Sequence, residues 1–165
     1  MRRRINQETK NGKQIKVGWR RGDTQMERLR EVVLDSSVVV KWYSTEVKSD
    51  EALKLLDAYT EGSTELVVSE ILFCEVGNAL RYKPDYDPQK WKTAVAQLFS
   101  LRMKVTHLTE NLTARTGEIA YDGKVTFYDA LPVAIAEHKK TVCITADEQT
   151  QYKKLQTKGY PIELL

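Results

Sequence analysis

Four acidic side chains stand in apolar surroundings along the chain. Their phrases, in chain order, are REVVLD ending at Asp35, LFCEVGNAL around Glu75, TFYDALPVAIA around Asp129 and CITADEQ around Asp147. If these acids converge, two unit charges about 5 Å apart repel by about 3 kcal/mol at an effective dielectric constant of about 20. A proton or a cation must then relieve the repulsion. Carboxylate oxygens without His or Cys suit hard divalent ions, so the set predicts a Mg²⁺ or Mn²⁺ site and phosphodiester hydrolysis by metal-activated water.

The elements that position these acids alternate between short apolar runs and segments of helical periodicity. Strands are predicted at 31–35, 65–69, 104–108, 141–145 and 160–164, and helices at 49–62, 70–82, 88–102, 109–121, 127–140 and 147–159. Strands that alternate with helices require crossover connections, so the predicted fold is α/β, with three layers (α/β/α) and a mainly parallel central sheet. Ligands of such sheets bind beyond the carboxyl ends of the strands, where Asp35 and Asp147 are expected.

The order of the motifs resembles a known family. DSSVVVKW, EILFCEVGNAL, TFYDALPVAIAEHKK and CITADEQ together resemble the PIN-domain ribonucleases, most closely the VapC toxins of VapBC toxin-antitoxin pairs, over about residues 30–165. The resemblance implies that four acids form the catalytic and metal-binding pocket for Mg²⁺ or Mn²⁺: Asp35, Glu75, Asp129 and Asp147. It also implies three supporting residues, namely Ser36, Asn78 and Thr145. The sequence departs from the family pattern at Pro132, which the helix predicted at 127–140 can accommodate in its first turn.

The same resemblance implies an activity and partners. We expect an endoribonuclease that cleaves RNA, forms a homodimer and is held silent by a cognate antitoxin protein. The alternative is a catalytically silent PIN-fold module that binds RNA or another partner. Four mutually repelling carboxylates favour catalysis, because a scaffold gains nothing from retaining them.

Each acid also has an ordinary structural explanation. Asp35 could cap a turn or helix before SSVVV, and Asp129 and Asp147 could cap their own helices. Glu75 could lie on the surface, with Glu70 as the nearest competing acid; Asn78, one helical turn from Glu75, favours Glu75.

Charge is distributed unevenly along the 165 residues. Residues 1–25 carry eight basic and two acidic side chains, which leaves 18 basic and 21 acidic side chains in residues 26–165. Residues 1–25 also lack a helical or strand period and have few large apolar side chains, which predicts a basic flexible tail. The length of the chain predicts one domain, and the resemblance implies that residues 26–165 form a PIN-like nuclease domain. The tail could contact RNA phosphates, or it could be a start-site artefact, because Met26 begins the phrase MERLREVVLD.

Two further features bear on the environment of the protein. Its apolar runs fall short of the roughly 20 residues that a membrane span needs, and its start lacks an apolar signal core, so we expect a cytoplasmic protein with no membrane association. Cys74 and Cys143 both lie in apolar runs without metal-ligand spacing, which predicts two buried thiols.

Overall fold

Five strands form one parallel sheet in the computed structural model, which describes residues 30–165. They are β1 (Arg30–Leu34), β2 (Thr64–Ser69), β3 (Lys104–Thr106), β4 (Cys143–Thr145) and β5 (Ile162–Leu164). Their spatial order is β3-β2-β1-β4-β5, and every hydrogen-bonded pair is parallel. The predicted α/β fold with a parallel sheet is confirmed. The predicted basic tail, 1–25, lies outside the described residues.

Helices make the crossover connections. They are α1 (Ser36–Val40), α2 (Ser49–Thr60), α3 (Leu72–Arg81), α4 (Pro88–Ser100), α5 (Glu110–Gly123), α6 (Phe127–Lys139) and α7 (Lys153–Gln156). A 3₁₀ turn, Lys41–Tyr43, follows α1, and a π-helical turn, Glu148–Tyr152, precedes α7. Helix α4 begins with an N-cap: the Asp87 side chain accepts from the Lys90 amide at 2.7 Å, and Pro88 is the first residue of the helix.

The three layers follow from the alternation of side chains along each strand. Successive strand residues point to opposite faces of a sheet, so each central strand supplies both cores. Helices α1 to α4 cover the face that receives Val32, Leu34, Leu66, Val68 and Ile144. Helices α5 to α7 cover the face that receives Val33, Val67, Cys143 and Ile162. Both faces of β1 are therefore buried, which explains why its sequence is apolar at consecutive positions.

Local structure differs from the predictions in three places. Cys143 is buried as predicted, but Cys74 is exposed, because Leu72, Val76 and Leu80 face the core from α3 and Cys74 falls on the other side of the helix. Pro132, expected in the first turn of its helix, lies further inside α6 and is buried.

The third difference concerns the segment predicted as one helix, 147–159. It begins as a π-helical turn, in which the Tyr152 amide donates to the Asp147 carbonyl at 2.9 Å, and becomes α-helical only at α7. This turn directs Gln151 into the protein, where the side chain is fully buried and hydrogen-bonded.

We predict that Leu131→Ala lowers the free energy of unfolding by about 2–5 kcal/mol, because Leu131 is fully buried in the core beneath α6 and truncation leaves a cavity. The matched control is Leu53→Ala on α2, where the side chain is 39% exposed and the expected loss is about 1 kcal/mol or less. Urea denaturation followed by circular dichroism measures both. Equal losses would contradict the assigned core.

Candidate active site

The strand order reverses beside β1, and this reversal creates a crevice. From β1 the chain proceeds outward through β2 to β3, whereas β4 and β5 occupy the opposite side of β1. The connections that follow β1 and β4 therefore run to opposite faces of the sheet. Between the carboxyl ends of these two strands lies an open crevice. Asp35 directly follows β1, and Ala146 and Asp147 directly follow β4.

A cleft of about 690 Å³ lies at this point. Three of the four predicted acids line it, namely Asp35, Asp129 and Asp147, and the predicted supporting residue Ser36 lies beside them. Glu75 is half-buried on α3 and is not among the lining side chains, although it lies close enough for the charges of Asp35 and Asp129 to raise its pKa.

The other two supporting residues have different environments. Thr145, the last residue of β4, is fully buried next to Asp35. Asn78 is exposed on α3, where its neighbour Ala79 lines the cleft.

Asp35 is held by the start of α1. It is the N-cap of that helix, and its Oδ2 accepts hydrogen bonds from the Ser37 amide, at 3.0 Å, and from the Ser37 hydroxyl. The same hydroxyl accepts from the Ala146 amide at 2.9 Å, so Ser37 joins the ends of β1 and β4. The side chain is only 7% exposed, and burial raises the pKa of Asp35, with the charge of Asp129 adding to the rise and the Ser37 bonds opposing it.

Thr145 and Gln151 connect Asp35, at the end of β1, to α6. The Thr145 hydroxyl donates to Gln151 Oε1, accepts from the Asp147 amide at 3.0 Å and lies 3.4 Å from Asp35 Oδ2. Gln151 Nε2 in turn donates to the Asp129 carbonyl at 2.7 Å. The chain of contacts fixes the first turn of α6 against the end of β4, and with it the backbone of Asp129.

The side chains of Asp129 and Asp147 both form capping hydrogen bonds at the N-termini of their own helices. Thr126 and Asp129 form a capping box: Asp129 Oδ2 accepts from the Thr126 amide at 3.2 Å, and the Asp129 amide donates to the Thr126 hydroxyl at 3.1 Å. Asp147 caps the π-helical turn, because its Oδ1 accepts from the Thr150 amide at 2.9 Å. Burial opposes ionisation of Asp147, but the hydrogen bonds from Thr150 outweigh it and lower the pKa. Helix capping and participation in the cleft are therefore compatible.

Glu75 shows the combined effect of burial and of neighbouring negative charge. Burial, followed by the charges of Asp35 and Asp129, raises the pKa of Glu75 from 4.5 to about 7. Three carboxyl groups from three separate elements thus share one electrostatic environment. A proton or a cation near these groups would lower the cost of their repulsion.

The donor set suits a hard divalent ion in chemical type. Each carboxylate offers two oxygens with about four lone-pair sites, so a capping bond leaves capacity for a cation. Among residues 30–165, however, no group of three or more His, Cys, Asp or Glu side chains is placed to hold a metal ion. The residues fit a Mg²⁺ or Mn²⁺ ion by their oxygen chemistry and charge.

Several residues of the cleft were not predicted. Ser37 was foreseeable, because an N-cap aspartate accepts from the second or third residue of its helix. Gln151 was not, because only a π-helical turn directs it inward. Another part of the cleft wall is formed by Lys41, Glu46 and Lys83. No local sequence pattern marks these residues, because they lie in a 3₁₀ turn and two irregular segments that tertiary packing brings together.

An acidic cleft at the topological switch point of a parallel sheet defines a class of α/β proteins suited to binding cations and phosphates. Within that class, the family model of the PIN domain matches residues 32–155. The chain belongs to the PIN domain family.

Comparison with solved structures supports the same fold. VapC20 of Mycobacterium tuberculosis, described as a sarcin-ricin loop cleaving toxin, is 17% identical, with a TM-score of 0.60 over 78% of this chain and 95% of that chain. DNA-bound VapBC from Salmonella typhimurium is 16% identical, with a TM-score of 0.59 over 82% of this chain and 98% of that chain. VapBC2 from Rickettsia felis, bound to a DNA fragment from its promoter, is 13% identical, with a TM-score of 0.58 over 82% and 98%. At these identities the likeness establishes the fold.

No curated protein sequence matches the chain. Within residues 30–165, none of the helices has the length and apolar character that crossing a membrane requires.

We predict that Glu75→Gln changes the pH dependence of stability when divalent ions are absent. A carboxyl with a raised folded-state pKa stabilises the fold while protonated and loses that contribution as the pH rises from 4.5 through about 7. The wild type should therefore lose stability over this window relative to the variant. Full burial would make the loss about 3 kcal/mol, but solvent screening of the partly exposed Glu75 reduces our expectation to about 1 kcal/mol.

Urea titrations in EDTA at about pH 5 and about pH 8 measure this difference. The control is Glu51→Gln, an exposed acid on α2. Parallel pH profiles for the wild type and Glu75→Gln would contradict the burial of Glu75 beside the charges of Asp35 and Asp129.

Proposed function

We propose that the protein is a Mg²⁺- or Mn²⁺-dependent endoribonuclease. The observation that carries this proposal is the cleft at the ends of β1 and β4, which Asp35, Asp129 and Asp147 line together. Glu75 lies close by, and burial, followed by the charges of Asp35 and Asp129, raises its pKa to about 7. Neighbouring carboxylates that repel one another favour the binding of a cation, and the bound cation in turn attracts phosphate. Membership of the PIN domain family agrees with this chemistry.

The residues of the chain divide the work of such a site. Asp35 is fixed by the amide and hydroxyl of Ser37, so it supplies a rigid carboxylate at the end of β1. Glu75, with a pKa of about 7, holds a proton near neutral pH and releases it when positive charge arrives. Asp129 and Asp147 approach from the starts of two helices and complete the acidic wall. A divalent ion there would stabilise negative charge on the phosphoryl oxygens and lower the pKa of a nearby water.

Single-stranded RNA is the expected substrate. The cleft is open and lined by side chains from the ends of strands and helices, so it can admit splayed nucleotides more readily than an A-form duplex. VapC20, one of the similar structures, is described as cleaving the sarcin-ricin loop. We extend to this chain only the class of substrate, RNA.

The similar structures also support a biological setting. Several are toxin-antitoxin complexes, among them one from Klebsiella pneumoniae that covers 72% of this chain. We therefore propose that this protein is the toxin of a toxin-antitoxin pair, that it forms a homodimer, and that a cognate antitoxin silences it in the cytoplasm. Residues 26–165 would form the nuclease domain.

One observation favours a second function, a PIN-fold module that binds RNA or another partner without catalysis. Asp129 and Asp147 direct carboxylate oxygens to their own helix ends, and among the described residues no metal-holding group of three is formed. A scaffold of this kind would use the acids as caps alone. A scaffold function does not use the raised pKa of Glu75.

Digestion of a mixed single-stranded RNA by purified protein tests the nuclease. We expect cleavage in Mn²⁺, none in EDTA, and a loss of about 10²-fold or more for Asp129→Asn, which keeps the size of the side chain and removes its charge. Asp57→Asn, an exposed acid on α2, is the control and should retain full activity. Full activity in EDTA or in Asp129→Asn would remove the metal-site proposal.

Titration calorimetry with Mn²⁺ separates the nuclease from the silent module. We expect saturable binding that Asp35→Ala abolishes, because Asp35 is the carboxylate most firmly fixed at the cleft. Binding should strengthen as the pH rises through about 7, since the cation competes with the proton on Glu75. Absence of saturable Mn²⁺ binding by the wild type would favour the scaffold.

A further inference from the structure

A pair of lysines lines the same cleft as the carboxylates. Lys41 lies in the 3₁₀ turn after α1, and Lys83 lies just beyond the C-terminus of α3. Both ammonium groups approach Glu46, with Lys83 Nζ 3.5 Å from one carboxylate oxygen and Lys41 Nζ 3.7 Å from the other. This cluster of Lys41, Lys83 and Glu46, called here the lysine wall, is separate from the acids of the proposed metal site.

The lysines are more enclosed than most paired lysines of the surface. The side chains of Lys41 and Lys83 are 14% and 27% exposed, whereas Lys158, paired with Asp122, is 46% exposed. Lys41 Nζ also donates to the Val47 carbonyl at 2.9 Å, which fixes its position. Partly desolvated ammonium groups interact more strongly with an anion than fully hydrated ones, so the lysine wall is a stronger anion site than exposed pairs are.

The cleft as a whole needs positive charge if a polyanion is to enter. Among residues 30–165, its lining includes two cations, Lys41 and Lys83, and five acids, namely Asp35, Asp129, Asp147, Glu148 and Glu46. A metal ion at the acidic wall can compensate for the phosphate being cleaved, but an RNA strand brings further phosphates on either side. Within this cleft the lysine wall supplies the cationic side chains that can receive one of them.

We propose that Lys41 and Lys83 form a subsite for a backbone phosphate next to the one that is cleaved, and that Glu46 occupies this subsite until RNA displaces it. The proposal rests on the proposed function for the identity of the polyanion. Glu46 resembles a phosphate in what it does there: one oxygen faces each lysine, and Oε1 also accepts from the Ser44 hydroxyl at 2.9 Å. It lies in the irregular segment between the 3₁₀ turn and α2, so its side chain can leave without breaking a helix.

If RNA displaces Glu46, the positive and negative charges of the lysine wall have opposite effects on the affinity for RNA. The lysines attract the incoming phosphate, whereas the Glu46 carboxylate competes with it for the same donors. Removing a lysine charge should therefore weaken RNA binding, and removing the Glu46 charge should strengthen it. A merely structural ion pair would not produce this opposition, because loss of either partner would disturb the same local structure.

The test measures fluorescence anisotropy of a labelled single-stranded oligouridylate with phosphorothioate linkages, which resist hydrolysis, in Mn²⁺. We expect Lys83→Met to weaken binding about tenfold and to reduce the slope of log affinity against log salt by about 0.7, the value for one lost contact to single-stranded RNA. Glu46→Gln should tighten binding by about threefold or more. Lys83→Arg, which keeps the charge, should retain most of the affinity.

Matched controls lie outside the cleft. Lys158→Met removes a lysine paired with Asp122 at 2.8 Å, and Glu65→Gln removes an acid paired with Lys104 at 2.7 Å, and both should bind as the wild type does within about twofold. Thermal melting establishes that each variant is folded; if Lys83→Met does not fold, Glu46→Gln and Lys83→Arg decide. Weaker binding by Glu46→Gln, equal effects of Lys83→Met and Lys158→Met, or no binding by the wild type would overturn the subsite.

A parallel digest of unmodified RNA keeps this proposal separate from the nuclease proposal. If the wild type binds the probe and the variants behave as expected but no RNA is cut, the phosphate subsite stands and the nuclease proposal fails. If RNA is cut and the lysine and glutamate variants bind like the wild type, the nuclease stands and the subsite fails.

Discussion

The site depends on the burial of one carboxylate at the end of the central strand. β1 has both faces covered by helices, so the residue that follows it is enclosed, and Asp35 is only 7% exposed. Burial raises the free energy of its ionised form, and the hydrogen bonds from Ser37 at the start of α1 offset part of that cost. Every further acid brought to this place adds repulsion, and the cleft tolerates this only where protons or cations are within reach.

Two neutral side chains maintain this arrangement. Thr145 and Gln151 are fully buried, and each satisfies polar groups on two sides: Thr145 contacts the Asp35 carboxylate and the Asp147 amide, and Gln151 contacts Thr145 and the Asp129 carbonyl. No buried side-chain nitrogen or oxygen of the described residues lacks a hydrogen-bond partner. A buried network with all its bonds made is rigid, because breaking one leaves a polar group unsatisfied. The acids are thereby placed by groups that carry no charge.

Much of this was predictable from the sequence, and the limits have physical causes. Strand and helix periodicity is encoded within short segments, so the parallel sheet could be derived, and with it the positions of Asp35 and Asp147 beyond the ends of β1 and β4. Exposure of Cys74 depends on which side of α3 meets the core. The lysine wall depends on packing between an irregular segment and the end of α3. Neither is recorded in a local pattern, because both are set by contacts between residues distant in sequence.

The π-helical turn at Glu148–Tyr152 constrains the number of residues in this part of the chain. Such a turn contains one residue more than an α-helical turn. Here the extra residue brings the side-chain amide of Gln151 beneath the start of α6. Shortening the segment by one position would restore ordinary helical winding and rotate that amide by about 100° around the axis. An evolving sequence can therefore exchange the exposed side chains of this turn freely, but it cannot easily change their number.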